Sequence, residues 1–204
     1  MSSSDDFVPP FSRSADANKD HILRQLRACL HSNHHVLEIG SGTGQHALYF
    51  TQSMPEITWQ CSDVDLTSFS LDKVLDSSPR SNLLDPIILD IDNWPDLQHA
   101  YDAVYSANCI HIIRHDQLAP YVEGASRSLK PGGLMLLYGP YKYGGKFTTQ
   151  SNADFDVYLR TSYGAGGIKD FEVINKLANE NGLALENDVA MPANNQFLVF
   201  RKSS

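Results

Sequence analysis

Apolar positions along the chain recur with two periods, and the switching between them predicts helices and strands in turn. Ile22, Leu23, Leu26, Cys29 and Leu30 share one helical face, so a helix is expected from Asn18, capped by Asp16 or Asn18. Residues 36–39 form a short apolar strand. After a glycine-rich turn, an amphipathic pattern resumes to about residue 53 and stops before Pro55. A strand at 57–61 is followed by a helix with Leu66, Phe69, Val74 and Leu75 on one side. Strands at 86–89 and 101–106 come next, then a helix through Leu118, Val122, Ala125 and Leu129. The run Lys-Pro-Gly-Gly at 130–133 stops that helix, and a continuous apolar run at 134–138 reads as a strand buried on both faces.

The C-terminal part differs. A helix over 168–181 ends at Gly182, and strands at 183–190 and 196–201 are joined by only residues 191–195. So short a link cannot carry a parallel crossover, so this pair is antiparallel. Strands alternating with helices before it predict βαβ units. The expected fold is a single-domain, Rossmann-like, mostly parallel seven-stranded sheet that ends in an antiparallel hairpin. Residues 1–15, Ser-rich and without period, read as a mobile leader to a domain spanning 16–204.

Residues 141–167 break the alternation. Gly144 and Gly145 stand near one end and Gly164, Gly166 and Gly167 at the other. Between them Ser151 caps a short helix carrying Phe155, Tyr158 and Leu159. A helix between glycine hinges at the C-terminal end of a sheet reads as a substrate lid. Its Lys142, Lys146 and Arg160 suggest a polar or anionic small-molecule substrate.

Composition narrows the partners. The chain of 204 residues carries a net charge of −8 and no Lys/Arg block, which disfavours a nucleic acid. No apolar run approaches membrane-spanning length and no signal-peptide pattern opens the chain. Cys29, Cys61 and Cys109 are odd in number and set in apolar segments, as reduced thiols of a cytoplasmic protein would be. No His or Cys spacing suggests a metal site.

The chemistry centres on E-x-G-x-G-x-G at 38–44: Glu38, Gly40, Ser41, Gly42, Thr43 and Gly44. A dinucleotide fingerprint would space its glycines G-x-G-x-x-G, and a P-loop would add Lys-Ser/Thr. The observed form resembles the first motif of class I S-adenosylmethionine (SAM) methyltransferases. Acidic or amide residues then follow successive strands. Asp63 can accept both hydroxyls of a ribose, with Asp65 the second choice. Asp90 can accept from an adenine amino group while Ile91 packs on the ring. Asn108 lies where the methionine part of SAM would sit. His111, beyond the same strand, is either a general base or a structural histidine, and Asn108 and Tyr141 complete the candidate catalytic set.

The runs LEIGSGTGQH (37–46), WQCSDVD (59–65), ANCIHI (107–112), LYGPY (137–141), SNADFD (151–156) and MPANN (191–195) resemble the methyltransferase-like proteins known as domain of unknown function 938. The likeness covers nearly the whole chain, although Ala17 stands where an arginine would be expected before Asn18. It implies a SAM-dependent methyltransferase without a settled substrate. The alternative is a SAM-binding sensor or partner subunit that transfers nothing. An Asn/Asp-Pro-Pro-Tyr/Phe motif of amide- and adenine-methylating enzymes is absent after the fourth strand.

Overall fold

The computed structural model describes residues 7–164 and 166–204. The first half comprises α1 (Arg13–Cys29), β1 (His35–Ile39), α2 (Gln45–Ser53), β2 (Thr58–Asp63), α3 (Leu71–Asp76), β3 (Leu83–Ile88) and β4 (Tyr101–Ala107). The second comprises α4 (Cys109–Ile112), α5 (Leu118–Ser128), β5 (Leu129–Gly139), β6 (Lys142–Tyr143), β7 (Lys146–Phe147) and α6 (Gln150–Tyr163). It closes with α7 (Phe171–Glu180), β8 (Leu183–Met191) and β9 (Asn195–Lys202).

Seven strands form one sheet in the order β3-β2-β1-β4-β5-β9-β8. The first five pair in parallel, and β9 runs antiparallel to both β5 and β8. The chain builds outward from β1 to β3, then returns to place β4 on the other side of β1. Strand order therefore reverses between β1 and β4, where ligands bind beyond the strand ends in open α/β sheets.

Alternation along the strands sends side chains into two cores. Val36, Trp59, Tyr105, Leu136 and Phe197 pack with α1 and α2, whereas Leu37, Val104, Met135, Leu137 and Leu198 pack with α5 and α7. On the first face Trp59 meets Phe50 at 5.5 Å and Tyr105 at 5.6 Å between ring centroids. Such aromatic pairs add about 0.5–1.5 kcal/mol each beyond area burial. No described helix is long and apolar enough to cross a membrane.

Several boundaries depart from expectation. Helix α1 begins at Arg13, and Ser12 caps it by accepting from the Ala15 N–H, so neither Asp16 nor Asn18 is the cap. Its first turns carry no apolar residue larger than alanine, so no helical stripe marks them. Residues 13–15 of the expected leader are thus helical, and residues 1–6 lie outside the described residues. Helix α3 excludes Leu66 and Phe69. Strand β3 starts before Pro86, which is tolerated because β3 is an edge strand. Strand β5 follows α5 without a loop, so residues 130–133 extend a strand instead of forming a stop. Helix α7 starts at Phe171, leaving residues 168–170 outside it. In the 141–167 segment, Gly144 and Gly145 are the two-residue turn of the β6–β7 hairpin, with φ of 56° and 73°, and Thr149, not Ser151, caps α6.

Candidate active site

The site is assembled from the glycine turn after β1 and the ends of its neighbouring strands. Glu38 is buried, and its Oε2 accepts from Ser41 Oγ at 2.9 Å, Trp59 Nε1 at 3.0 Å and Cys61 Sγ at 3.8 Å. Burial raises its pKa from 4.5 to about 7, opposed by those donors. Its carboxyl thereby ties the turn to β2 and to the aromatic core. The N–H groups of Gly40 and Ser41 both donate to Ser62 O, at 3.0 and 2.9 Å. The Gly42 N–H donates to Asp63 Oδ2 at 2.9 Å, and Val64 N–H to Asp63 Oδ1 at 2.8 Å.

Gly42 has φ +53°, and a Cβ built on it would meet nothing within 4 Å. At Gly40, by contrast, the Cβ would lie 2.8 Å from Cys109 Sγ, so the turn after β4 packs directly on the glycine loop. Thr43 Oγ1 donates to Gln45 Oε1 at 3.1 Å, and left-handed Gly44 opens α2.

Asp63 and Asp90 are brought into register because Leu89 N–H donates to Asp63 O at 2.9 Å. Asp90 Oδ1 accepts from Asp92 N–H at 3.0 Å, and Ile91 packs against the α5–α7 core. Asp65 does not join them. It is exposed and its oxygens are taken by Thr67 N–H, Thr67 Oγ1 and Ser68 Oγ at 2.6–2.8 Å, which hold its pKa down to about 2.

Asn108 adopts φ 59° at the start of α4, with its N–H donating to Tyr138 O at 2.8 Å. It also lines a cavity of ≈ 400 Å³ bounded by α1, α6 and the β8–β9 turn. Asn108 thus lines this cavity while its neighbour Cys109 packs on Gly40 of the glycine loop. Asn18 and His21 of α1, Asn152 and Phe155 of α6, and Asn194 and Asn195 of the turn contribute to the wall. The sequence placed Phe155 on a lid helix and Asn18 as a possible helix cap, and gave these asparagines no role in binding. The available signals were the SNADFD and MPANN runs, noted for resemblance alone.

The other two candidate catalytic side chains sit behind the wall. His111 and Tyr141 are fully buried, with ring centroids 5.1 Å apart, and neither lines the cavity. Lys169 N–H donates to His111 Nδ1 at 3.4 Å, which leaves Nε2 as the protonated nitrogen. Burial, and then the Lys169 charge, lower the imidazole pKa from 6.5 to about 3. His111 is therefore held neutral, and its Nε2 has no hydrogen-bond partner among the described residues. Its Nε2 would be 2.5 Å from a Cβ on Gly139, so that position has room for glycine only. Lys142, Lys146 and Arg160 are also absent from the cavity wall, and Arg160 pairs with Asp156.

Three of these groups dictate a pH dependence. His46, which donates or accepts with Asn18 at 2.7 Å, is lowered by burial to about 4, and His111 to about 3. Depressed histidines give stability that is present above their unfolded value of 6.5 and lost as pH falls. Glu38 is raised, so its contribution is fully present below 4.5 and lost as pH rises toward 7. Near about pH 5.5 His46 and His111 outweigh Glu38 by roughly one proton, so these three groups together contribute a loss of about 1.4 kcal/mol per unit of acidification, to which the lowered His34, His35 and His115 add. Glu38→Gln should steepen the slope by about 1.4 kcal/mol per unit. Denaturant titrations over this range check it, and equal slopes for the two proteins would contradict the assignment.

Comparison with known proteins bears on the family and the fold. A family model described as "Protein of unknown function (DUF938)" matches residues 9–202. A non-reducing polyketide synthase, trt4, from Aspergillus terreus is 28% identical over 135 residues, covering 63% of this chain and 6% of that protein. A malonyl-[acyl-carrier protein] O-methyltransferase from Alcanivorax borkumensis is 28% identical over 140 residues, covering 64% of this chain and 46% of the other. The structure of human N-acetylserotonin methyltransferase in complex with SAM superimposes with a TM-score of 0.75 at 14% identity, covering 94% of this chain and 53% of that one. The chain thus spans less than two thirds of each, and the shared architecture is the Rossmann-like methyltransferase fold.

Proposed function

The chain belongs to the family described as protein of unknown function DUF938, and from that premise we propose that it is a SAM-dependent methyltransferase acting on a small molecule. The observation that carries this reading is the empty space above Gly42, next to a carboxylate that already holds the loop. An open face on a left-handed glycine, with no side chain over it, leaves a ligand without phosphate free to approach the backbone closely.

Bound there, SAM would supply an electrophilic sulfonium methyl. Asp63 would accept from the ribose hydroxyls with the lone pairs its two backbone donors leave, and Asp90 and Ile91 would receive the adenine. Asn108 would stand between the methionine end and the acceptor cavity. Helices α1 and α6 would exclude water and orient the acceptor, and orientation alone can supply much of the acceleration. No side chain of the wall is assigned as a general base. Helix α6 serves as the cover, held on its inner face by Asn152, Asp156 and Leu159.

Hydrogen exchange with and without S-adenosylhomocysteine (SAH) tests both parts. Amides of residues 40–45 and 63–66 should slow on adding SAH and stay unchanged with NAD. Amides of residues 146–163 should exchange faster than those of β1, β4 and β5 in the free protein, and slow only in part with SAH. No response at the glycine loop would sink the cofactor site. Full protection of α6 in the free protein would mean a rigid insert and no lid.

A further inference from the structure

The cavity beside Asn108 has a wall unlike that expected for an ionic substrate. Its polar members are Ser14, Ser151 and five asparagines, and its apolar ones include Tyr138 and Phe155. Among the described residues no Asp, Glu, Lys or Arg lines it, and His21 and the Tyr138 phenol are its titratable side chains. A guanidinium N–H of Arg24 donates to His21 Nδ1, and Arg24 itself is exposed and outside the lining.

The amide groups are oriented by the wall itself. Asn152 Nδ2 donates to Thr148 Oγ1 at 2.8 Å and to Asn194 O at 3.1 Å. Asn194 Nδ2 donates to Ser151 Oγ at 3.2 Å, and Asn195 Nδ2 to Pro192 O at 3.1 Å. Both amide hydrogens of Asn152 and Asn195 and one of Asn194 are thus engaged by protein, which leaves the Oδ1 atoms as acceptors for a ligand. The turn that carries two of them holds Ala193 and Asn194 consecutively in the left-handed region, at φ 56° and 59°. Such strain in non-glycine residues persists where the surroundings over-determine it, and it gathers at ligand clamps.

A charged acceptor entering this space would lose hydration and meet no opposite charge, which costs more than any single neutral hydrogen bond returns. We propose that the methyl acceptor is a neutral, hydroxyl-bearing molecule with a flat apolar body. Its hydroxyl groups donate to the oxygens of Asn152, Asn194 and Asn195, and its body lies against Phe155 and Tyr138. This rests on the reading of the adjacent strand ends as the SAM site. In the transfer, a lone pair of the acceptor oxygen forms the new C–O bond as the S–CH3 bond of SAM breaks. The bonding pair stays on sulfur, giving SAH and a protonated ether oxygen, whose proton passes to bulk water as the product leaves.

The test is ligand-observed NMR titration of the SAH-saturated protein with three matched probes: catechol, protocatechuate and dopamine. Catechol should bind at least about tenfold more tightly than its carboxylate or ammonium counterpart. Phe155→Ala should weaken catechol while SAH affinity stays unchanged, and Asn194→Asp, which keeps the left-handed turn, should shift preference to dopamine. Tighter binding of either charged probe by the native protein, or no catechol binding, would overturn the inference while leaving the cofactor reading intact. Failure of SAH to bind in the first place would instead overturn the cofactor reading, and this inference with it.

Discussion

Gly42→Val should abolish measurable SAH binding in a protein that remains folded. The new side chain has no protein atom to collide with, because a Cβ at this position meets nothing within 4 Å. Its cost to the fold is the left-handed backbone at φ +53°, about 1–2 kcal/mol, which a domain with the usual several kcal/mol of stability survives. The branched side chain would instead occupy the ligand's space, and affinity should fall by about 100-fold or more. Gly132→Ala is the matched control. It also has positive φ and an open surround, but lies in the Lys130–Gly133 stretch at the opposite end of the sheet. Calorimetry should therefore show normal SAH affinity in Gly132→Ala and none in Gly42→Val, with circular dichroism confirming both folds. Unchanged affinity in Gly42→Val would remove the glycine loop from the site.

Asp63→Ala should carry the second largest effect. It removes the proposed acceptor for the ribose and also the Gly42 N–H anchor at 2.9 Å. A charge-assisted hydrogen bond is worth about 1.5–3 kcal/mol, so SAH should bind about tenfold to a hundredfold more weakly. Asp65→Ala should change affinity by less than about twofold, since its carboxylate serves the turn of Thr67 and Ser68. The reverse ranking of the two variants would show that the ribose lies on Asp65.

These two positions also mark where sequence reasoning stops. The glycine loop, Asp63 and Asp90 are legible because each follows a strand whose apolar run is local, and the βαβ pattern then brings strand ends together. The choice between Asp63 and Asp65 is not, since both follow the same strand and differ only in which neighbours consume their oxygens. The closing β8–β9 hairpin was legible from the length of its link. The start of α1 was not, because its first turns face the cavity and α2 and carry no apolar stripe.

The acceptor cavity shows the same limit more strongly. Asn18, Asn152 and Asn194 come from three remote segments, and each alone reads as a cap or turn residue. Their convergence depends on tertiary packing, including the Asn18–His46 contact that joins α1 to the helix after the glycine loop. The basic residues of the 141–167 segment attracted attention by charge, but charge pattern cannot report which way a helix turns its faces. Burial of His111 and Tyr141 was equally hidden, since His111 follows a turn at Asn108 and Tyr141 stands between Pro140 and Lys142, where no period fixes a face.

The central claim is that one pocket at the β1–β4 switch point holds SAM, with its methyl end toward the Asn108 cavity. A crystal structure of the protein grown with saturating SAH tests it most directly. The ribose hydroxyls should lie on Asp63, the adenine against Ile91 near Asp90, and the sulfur beside Asn108, open to the space between α1 and α6. SAH found elsewhere, absent at saturation, or with its sulfur turned away from that cavity would contradict the account.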